Sequence, residues 1–453
     1  MGLKLILLVL FAGLMHATRS FVPDESLGSR PAATALACGF LILSGLLSGQ
    51  IFKRFGLPKL TGYLAAGILV GPQVLALVSK DMLTSLKVFN GVAISLIALT
   101  AGLEMHLPSI RPLMKSITWI TLVGVIGTTI LLAATAWLLL PTMPFAVAFS
   151  PAELLAVSAV VGVATVAQSP AVVVALRDET QADGPLMRTV MAVVVLADLV
   201  VISLFAIATT VARSVLGDGG DAVEAALSLA WEFIGSGVAG LVIGGLLALY
   251  LRRVGTGGSG LFVIAVAFVT AEVGQRLHFD PLLVALSAGM LIRNATTVGD
   301  RLHHAIEASS LPVYVTFFAL AGAKVQLDAL LVVGVPALAI VAVRAFGFWV
   351  GNDLAARIAG APDVVRRWCG VGLMPQAGLA LALGLLVERT FPDFGEALGV
   401  LVLGVVALNE LIMPVLFRLA LVRSGEAGAL ASSDGETTGP APQGDASSAS
   451  EPT

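Results

Sequence analysis

Apolar runs separated by short stretches carrying charge, Pro or Gly fill most of this chain. Breaking the chain at those stretches gives about thirteen runs. They lie at 33–52, 60–78, 86–106, 116–139, 151–176, 187–212, 226–251, 258–275, 281–293, 309–323, 329–352, 368–388 and 397–417. Roughly 20 apolar residues suffice to cross a bilayer as a helix. The pattern therefore predicts an all-α polytopic membrane protein. The run at 281–293 is short, so it spans only with help from its neighbours, tilted or partly re-entrant.

The runs echo one another across the chain. GYLAAGILVG in the second matches VALSAGMLIR in the ninth, and LIALTAGLEMHL in the third matches FFALAGAKVQL in the tenth. ATVAQSPAVVVAL in the fifth matches GLMPQAGLALAL in the twelfth, and LADLVVISLF in the sixth matches LNELIMPVLF in the last. Each pair is seven runs apart, and seven is odd, so the copies face opposite ways. Two inverted-topology six-helix repeats result, 33–213 and 258–423, with 226–251 as a linker helix. That arrangement is the mark of a secondary transporter.

Composition agrees. Hydrophobic residues make up 57% of the 453-residue chain and charged residues 12%, about half the charge of a soluble domain. From Ser424 on there are five acids and no Lys or Arg. With Ser, Gly, Ala and Pro abundant there, 424–453 reads as a disordered tail. Loops after odd-numbered runs hold sixteen Lys and Arg, those after even-numbered runs six. The positive-inside rule then puts the start of the first run outside and the tail in the cytoplasm, as expected in a plasma or inner membrane. Residues 1–32 form either a cleavable signal peptide, MGLKLILLVLFAGLMHA, or an extra short helix with its linker. Both fit an outside start. Cys38 and Cys369 lie in apolar runs and form no disulfide framework or metal site. Phosphate-binding glycine loops and helical His pairs are absent from the sequence. No enzyme, cofactor or nucleic-acid partner is indicated.

The candidate chemistry is inside the runs. Asp198 is the only charged residue between Arg188 and Arg213, close to mid-run. A charge there costs about 3 kcal/mol or more, and such residues mark ion and proton pathways. Burial disfavours the ionised carboxylate and a nearby cation favours it, so one group can hold either a proton or a metal cation. Gln168-Ser169-Pro170 interrupts the fifth run and Pro375-Gln376-Ala377-Gly378 interrupts the twelfth at the equivalent place. Proline removes an amide and clashes with the preceding turn. The sequence thus predicts two broken helices whose freed carbonyls, with Ser169, Gln168 and Gln376, coordinate a small cation. Pro170, Pro375 and Gly378 make the breaks. Arg344 lies mid-run and needs a partner, either Asp198 or the negative ends of the broken helices. Glu410 falls where Asp198 falls in the first repeat. Glu410, Glu104 and Glu272 are secondary candidates. His303 and His304 are expected in a loop.

At these residues the chain resembles the monovalent cation:proton antiporter superfamily, in its Kef-like and sodium/proton exchanger branch. The resembling segments are GLPKLTGYLAAGILVGP (56–72), ALTAGLEMHL (98–107), QSPAVVVALRDE (168–179), ADLVVI (197–202), Arg344 and PQAGLALAL (375–383). The resemblance spans 33–423. It implies thirteen helices, a rigid dimerisation domain, a moving core domain with two broken helices crossing near the aspartate, and a homodimer. Two positions depart from it. Ala197 replaces the first residue of an Asn-Asp or Asp-Asp pair, and Gln168 replaces a hydroxyl residue.

The expected function is exchange of Na+ or K+ for H+ at Asp198, with Arg344 balancing charge. The metal cation is a transient substrate rather than a resident ion. The alternatives are a sodium-coupled organic-anion symporter, an ion channel and a transport-inactive membrane sensor. The first needs more polar residues around both breaks than this chain has.

Overall fold

The computed structural model describes residues 2–21, 30–217, 222–254, 267, 277, 279–296, 299–325, 327–391 and 393–430. Glu272 and nearly all of the run at 258–275 lie outside the described residues. Every regular element among the described residues is helical, and the protein is a multi-pass membrane protein. Seven helices are long and apolar enough to cross a membrane by length and composition, and five shorter apolar helices accompany them. Large apolar side chains such as Ile130, Trp231 and Val335 point outward.

The helices follow the apolar runs, with differences that have local causes. The run at 60–78 is helical only over Lys59–Val70. Gly71 and Pro72 end it, because proline has no amide to continue the ladder. The run at 116–139 contains a wide-turned π segment, Ile120–Ile126, between Met114–Trp119 and Gly127–Leu139. The run at 309–323 starts earlier, as the helix Gly299–Ala323, and takes in His303 and His304, which the sequence places in a loop. The run at 281–293 forms Pro281–Ala295, fifteen residues, about 22 Å long. Residues Gly2–Phe21 form a helix against Arg30–Arg54, with Met15 buried.

The helix packing has the symmetry that the expected repeat requires. Lys59–Val70 packs against Gly299–Ala323, and Pro281–Ala295 packs against Lys87–Glu104. If the second run corresponds to the ninth and the third to the tenth, these are the same contact made twice. Glycine pairs make both crossings close. A Cβ on Gly67 would sit 2.0 Å from the Ala319 oxygen, and one on Gly322 would sit 2.1 Å from the Leu64 oxygen. In the other crossing, Gly102 meets the Leu286 oxygen at 2.3 Å and Gly289 the Leu99 oxygen at 2.4 Å. Gly67 aligns with Gly289, and Gly102 with Gly322, in the matched segments. Small residues let helices approach where lipid supplies no hydrophobic drive.

The last helix, Gly395–Ser424, ends at Gly425 in the left-handed region. The sequence begins the tail at Ser424, yet the described chain runs on to Leu430 as a strap. The Glu426 carboxylate accepts from the Leu186 and Met187 amides at 2.7 and 2.8 Å. These amides open the helix Pro185–Val215 that carries Asp198, and an anion there suits the helix dipole. The Gly428 and Leu430 amides donate to the Thr180 and Gln181 carbonyls. A residue 240 positions away thus caps the carboxylate helix.

Two outcomes follow from this packing. Gly67→Ala and Gly289→Ala each lower stability by about 1–3 kcal/mol, seen as a fall in melting temperature in detergent. Gly245→Ala, whose Cβ meets nothing within 4 Å, leaves it unchanged. Burial pushes the Glu426 carboxyl up from 4.5, against its amide bonds and Arg188. Its stabilising contribution is then full below 4.5 and is lost as pH rises through the raised value. Melting temperature therefore declines more over that window in the wild type than in Glu426→Gln.

Candidate ion site at two broken helices

The fifth apolar run is two helices. Pro151–Val166 starts with a capping box, Ser150 with Glu153, and Pro170–Thr180 follows after a gap of three residues. Ser169 caps the second half, its Oγ accepting from the Val172 amide at 3.3 Å. The twelfth run is likewise two helices, Asp363–Gly372 and Gly378–Thr390. Each break leaves carbonyls at the end of one half-helix and amides at the start of the next. Their partial charges have no water to satisfy them in a bilayer.

Arg344 resolves the carbonyl ends. It is fully buried, on Leu327–Ala359. Its Nη1 donates to the Met374 carbonyl, and its Nη2 donates to the Ala167 carbonyl at 2.9 Å. The Val166 and Leu373 carbonyls lie at 3.4 and 3.5 Å from Nη2. The guanidinium also lies over the Phe348 ring, 4.8 Å from its centroid. Of the two partners expected from the sequence, the structure gives Arg344 the helix ends. No hydrogen bond or ion pair joins it to Asp198 among the described residues.

Gln376 cross-links the two breaks. Its Nε2 donates to the Thr165 and Ala167 carbonyls at 2.8 and 3.0 Å, and its Oε1 accepts from Asn409 Nδ2 at 2.7 Å. Both ends of this amide are therefore engaged. Gln168, in the first gap, is the opposite case. It is fully buried, and neither Oε1 nor Nε2 has a partner among the described residues.

Asp198 is 1% exposed, near the middle of Pro185–Val215. That helix packs against both halves of the first broken helix. Neither carboxylate oxygen accepts a hydrogen bond among the described residues. Ala197 beside it is also buried and contributes no polar atom.

A second carboxylate, not singled out by the sequence, faces this region. Asp280 caps Pro281–Ala295, accepting from the Leu282 amide at 2.7 Å and the Leu283 amide at 3.2 Å. It interacts electrostatically with Asp198. It also lines a cavity of about 190 Å³ with Ser169, Pro170, Ile94, Phe317 and Gly378. That cavity touches both breaks. Asp-Pro at a run's start signals an N-cap. Only the fold shows that this cap looks across at Ser169.

The remaining candidates are elsewhere. Glu104 ion-pairs with Arg177 at the end of the first broken helix. Both line a polar cavity of about 240 Å³ with His106, Asp183, Arg188 and Arg293. Glu410 is buried on Gly395–Ser424. Pro170 begins the second half of the first broken helix, Pro375 lies in the gap of the second, and Gly378 resumes it.

A family model described as "Sodium/hydrogen exchanger, transmembrane" matches residues 39–423. Among solved structures, the sodium proton antiporter MjNhaP1 from Methanocaldococcus jannaschii at pH 8 is similar. It has a TM-score of 0.63 and 15% identity over 89% of this chain and 98% of that one. An electron-microscopy map of the same antiporter gives 0.67 and 14%, over 93% of this chain and 100% of that one. No curated protein sequence matches the chain.

Arg344→Ala removes the donor shared by both breaks, leaving buried carbonyls without partners at about 1–3 kcal/mol each. Its melting temperature falls steeply. Arg344→Lys, a point donor that cannot reach both breaks equally, recovers only part of the loss. An unchanged melting temperature for Arg344→Ala contradicts this bridging role.

Proposed function

The chain belongs to the sodium/hydrogen exchanger family, and from that premise we propose that it exchanges a monovalent cation, Na+ or K+, for H+ at Asp198. The observation that carries this is a buried carboxylate whose two oxygens have no partner among the described residues, on a helix packed against a broken one. A carboxylate in such surroundings is neutralised by whichever positive ligand reaches it. A proton does so by forming the acid. A dehydrated alkali cation does so if further oxygens replace its water.

The first break has those oxygens. Ser169 Oγ and the unpartnered Gln168 Oε1 supply two of them. Carbonyls of the gap supply more. In this scheme Arg344 and Gln376 hold the breaks in place. Arg344 neutralises the negative helix ends permanently, so that Asp198 alone changes charge state. One carboxylate beside Ala197 gives one-for-one exchange as the simplest stoichiometry.

The core that holds the two breaks moves against the scaffold of glycine-crossed helices in a rocking or elevator motion, within a homodimer. The N-terminus of the first apolar run is outside and the C-terminal strap faces the cytoplasm.

The test is proton flux in proteoliposomes holding the full chain, driven by Na+, K+ or Li+ gradients. Wild-type protein gives flux with Na+ or K+. Asp198→Asn gives background flux while its melting temperature is retained. Retained exchange in Asp198→Asn contradicts the assignment of that residue.

A further inference from the structure

A cavity of about 450 Å³ runs from Lys80 and Lys324, both exposed, down to Glu410, which is 3% exposed. Between them its walls are mostly apolar, formed by residues such as Phe317, Leu381 and Leu403. Neither Glu410 oxygen has a hydrogen-bond partner among the described residues. The two lysines are the charged groups that share the cavity with it. Pro414 stands four residues on in the same helix and offers no amide to the Glu410 carbonyl. Oxygen atoms without helix or side-chain donors therefore concentrate at this one place.

The floor of the cavity is also joined to the crossing. Asn409, the preceding residue, donates to Gln376, which in turn holds the Thr165 and Ala167 carbonyls of the first break. Ile94, Phe317 and Gly378 line both this cavity and the one at Ser169. The two cavities thus adjoin at the second break.

We infer that Glu410 is a second binding site for a proton or a small alkali cation, reached through this vestibule and separate from Asp198. A structural role is poorly served by a buried carboxylate that bonds to nothing. A site that must load and unload from solvent needs a carboxylate that faces a cavity and is not committed to a donor. Exposed lysines at the mouth are screened by salt, whereas the carboxylate at the enclosed floor is not. The inference deepens the exchange function proposed above and rests on it for its role in transport, but binding itself is measurable without transport.

The experiment is infrared difference spectroscopy of the full chain in lipid, following carboxyl bands while Na+ or pH is changed. Among the carboxyl bands that respond in the wild type, two are expected to be assignable to these residues by substitution. Asp198→Asn removes one response and Glu410→Gln the other. A Glu410 band that responds to Na+ at fixed pH identifies an alkali ion, and one that responds to pH alone identifies a proton. Glu410→Asp shifts the band without abolishing it, which covers the case of a Gln variant that does not fold. Thr84→Cys, on the vestibule wall, slows that band's response several-fold when labelled with a bulky thiol reagent. If Asp198→Asn shows no response that Glu410→Gln or Glu410→Asp alters, the inference is overturned. Loss of flux in the wild type would overturn the exchange function and leave this spectroscopic result standing.

Discussion

A helix broken inside a bilayer exposes carbonyls and amides to a medium that cannot bond them, and the rest of this structure is arranged around that constraint. Two such breaks cross here. Their carbonyl ends would repel one another if left alone, since each carries about half a negative charge. Arg344 meets both at once, reaching Ala167 and Met374. Gln376 adds a second link between the breaks, and Asn409 ties that link to the last helix. A permanent positive charge is thus fixed where the helix ends need it. The carboxylate at Asp198 has no fixed partner among the described residues.

That division of labour gives the function its physical sense. A carboxylate paired with arginine stays ionised and has no need of a proton or a sodium ion. One left without a donor in an apolar setting is unstable as a bare anion. In the proposed function, its competing ligands are the two substrates. The helix Pro281–Ala295 contributes Asp280 from its cap, which puts a negative group in the wall of the cavity at Ser169. The neighbouring helices cross closely at glycine pairs used twice, Gly67 with Gly322 and Gly102 with Gly289.

Much of this was legible in the chain. Uninterrupted apolar runs fixed the fold class, because the bilayer imposes one solution on the backbone. Gln168-Ser169-Pro170 and Pro375-Gln376-Ala377-Gly378 located the breaks, because proline acts locally. Asp198 and Arg344 stood out because a charge in an apolar run is costly. What could not be read was which group each one meets. Arg344 had two candidate partners, and only the crossing geometry selects the helix ends. Gln376 and Gln168 look equivalent in sequence, yet one is fully bonded and the other is not. Asp280 and Glu426 act as caps for reasons that depend on distant segments: Glu426 reaches across 240 positions. The helix that ends at Val70 stops at Gly71 and Pro72, and the one that starts at Gly299 takes in polar residues that apolar patterning leaves out.

The central claim is that one carboxylate is contested by two positive ligands. Its most direct test is the number of protons released into weakly buffered solution when Na+ binds the purified protein, measured by calorimetry in buffers of different ionisation enthalpy. Competition at Asp198 predicts that Na+ binding releases protons, that the release shrinks at a pH where the site is already ionised, and that it is lost when position 198 cannot ionise. Sodium binding with no proton release at any pH would contradict it.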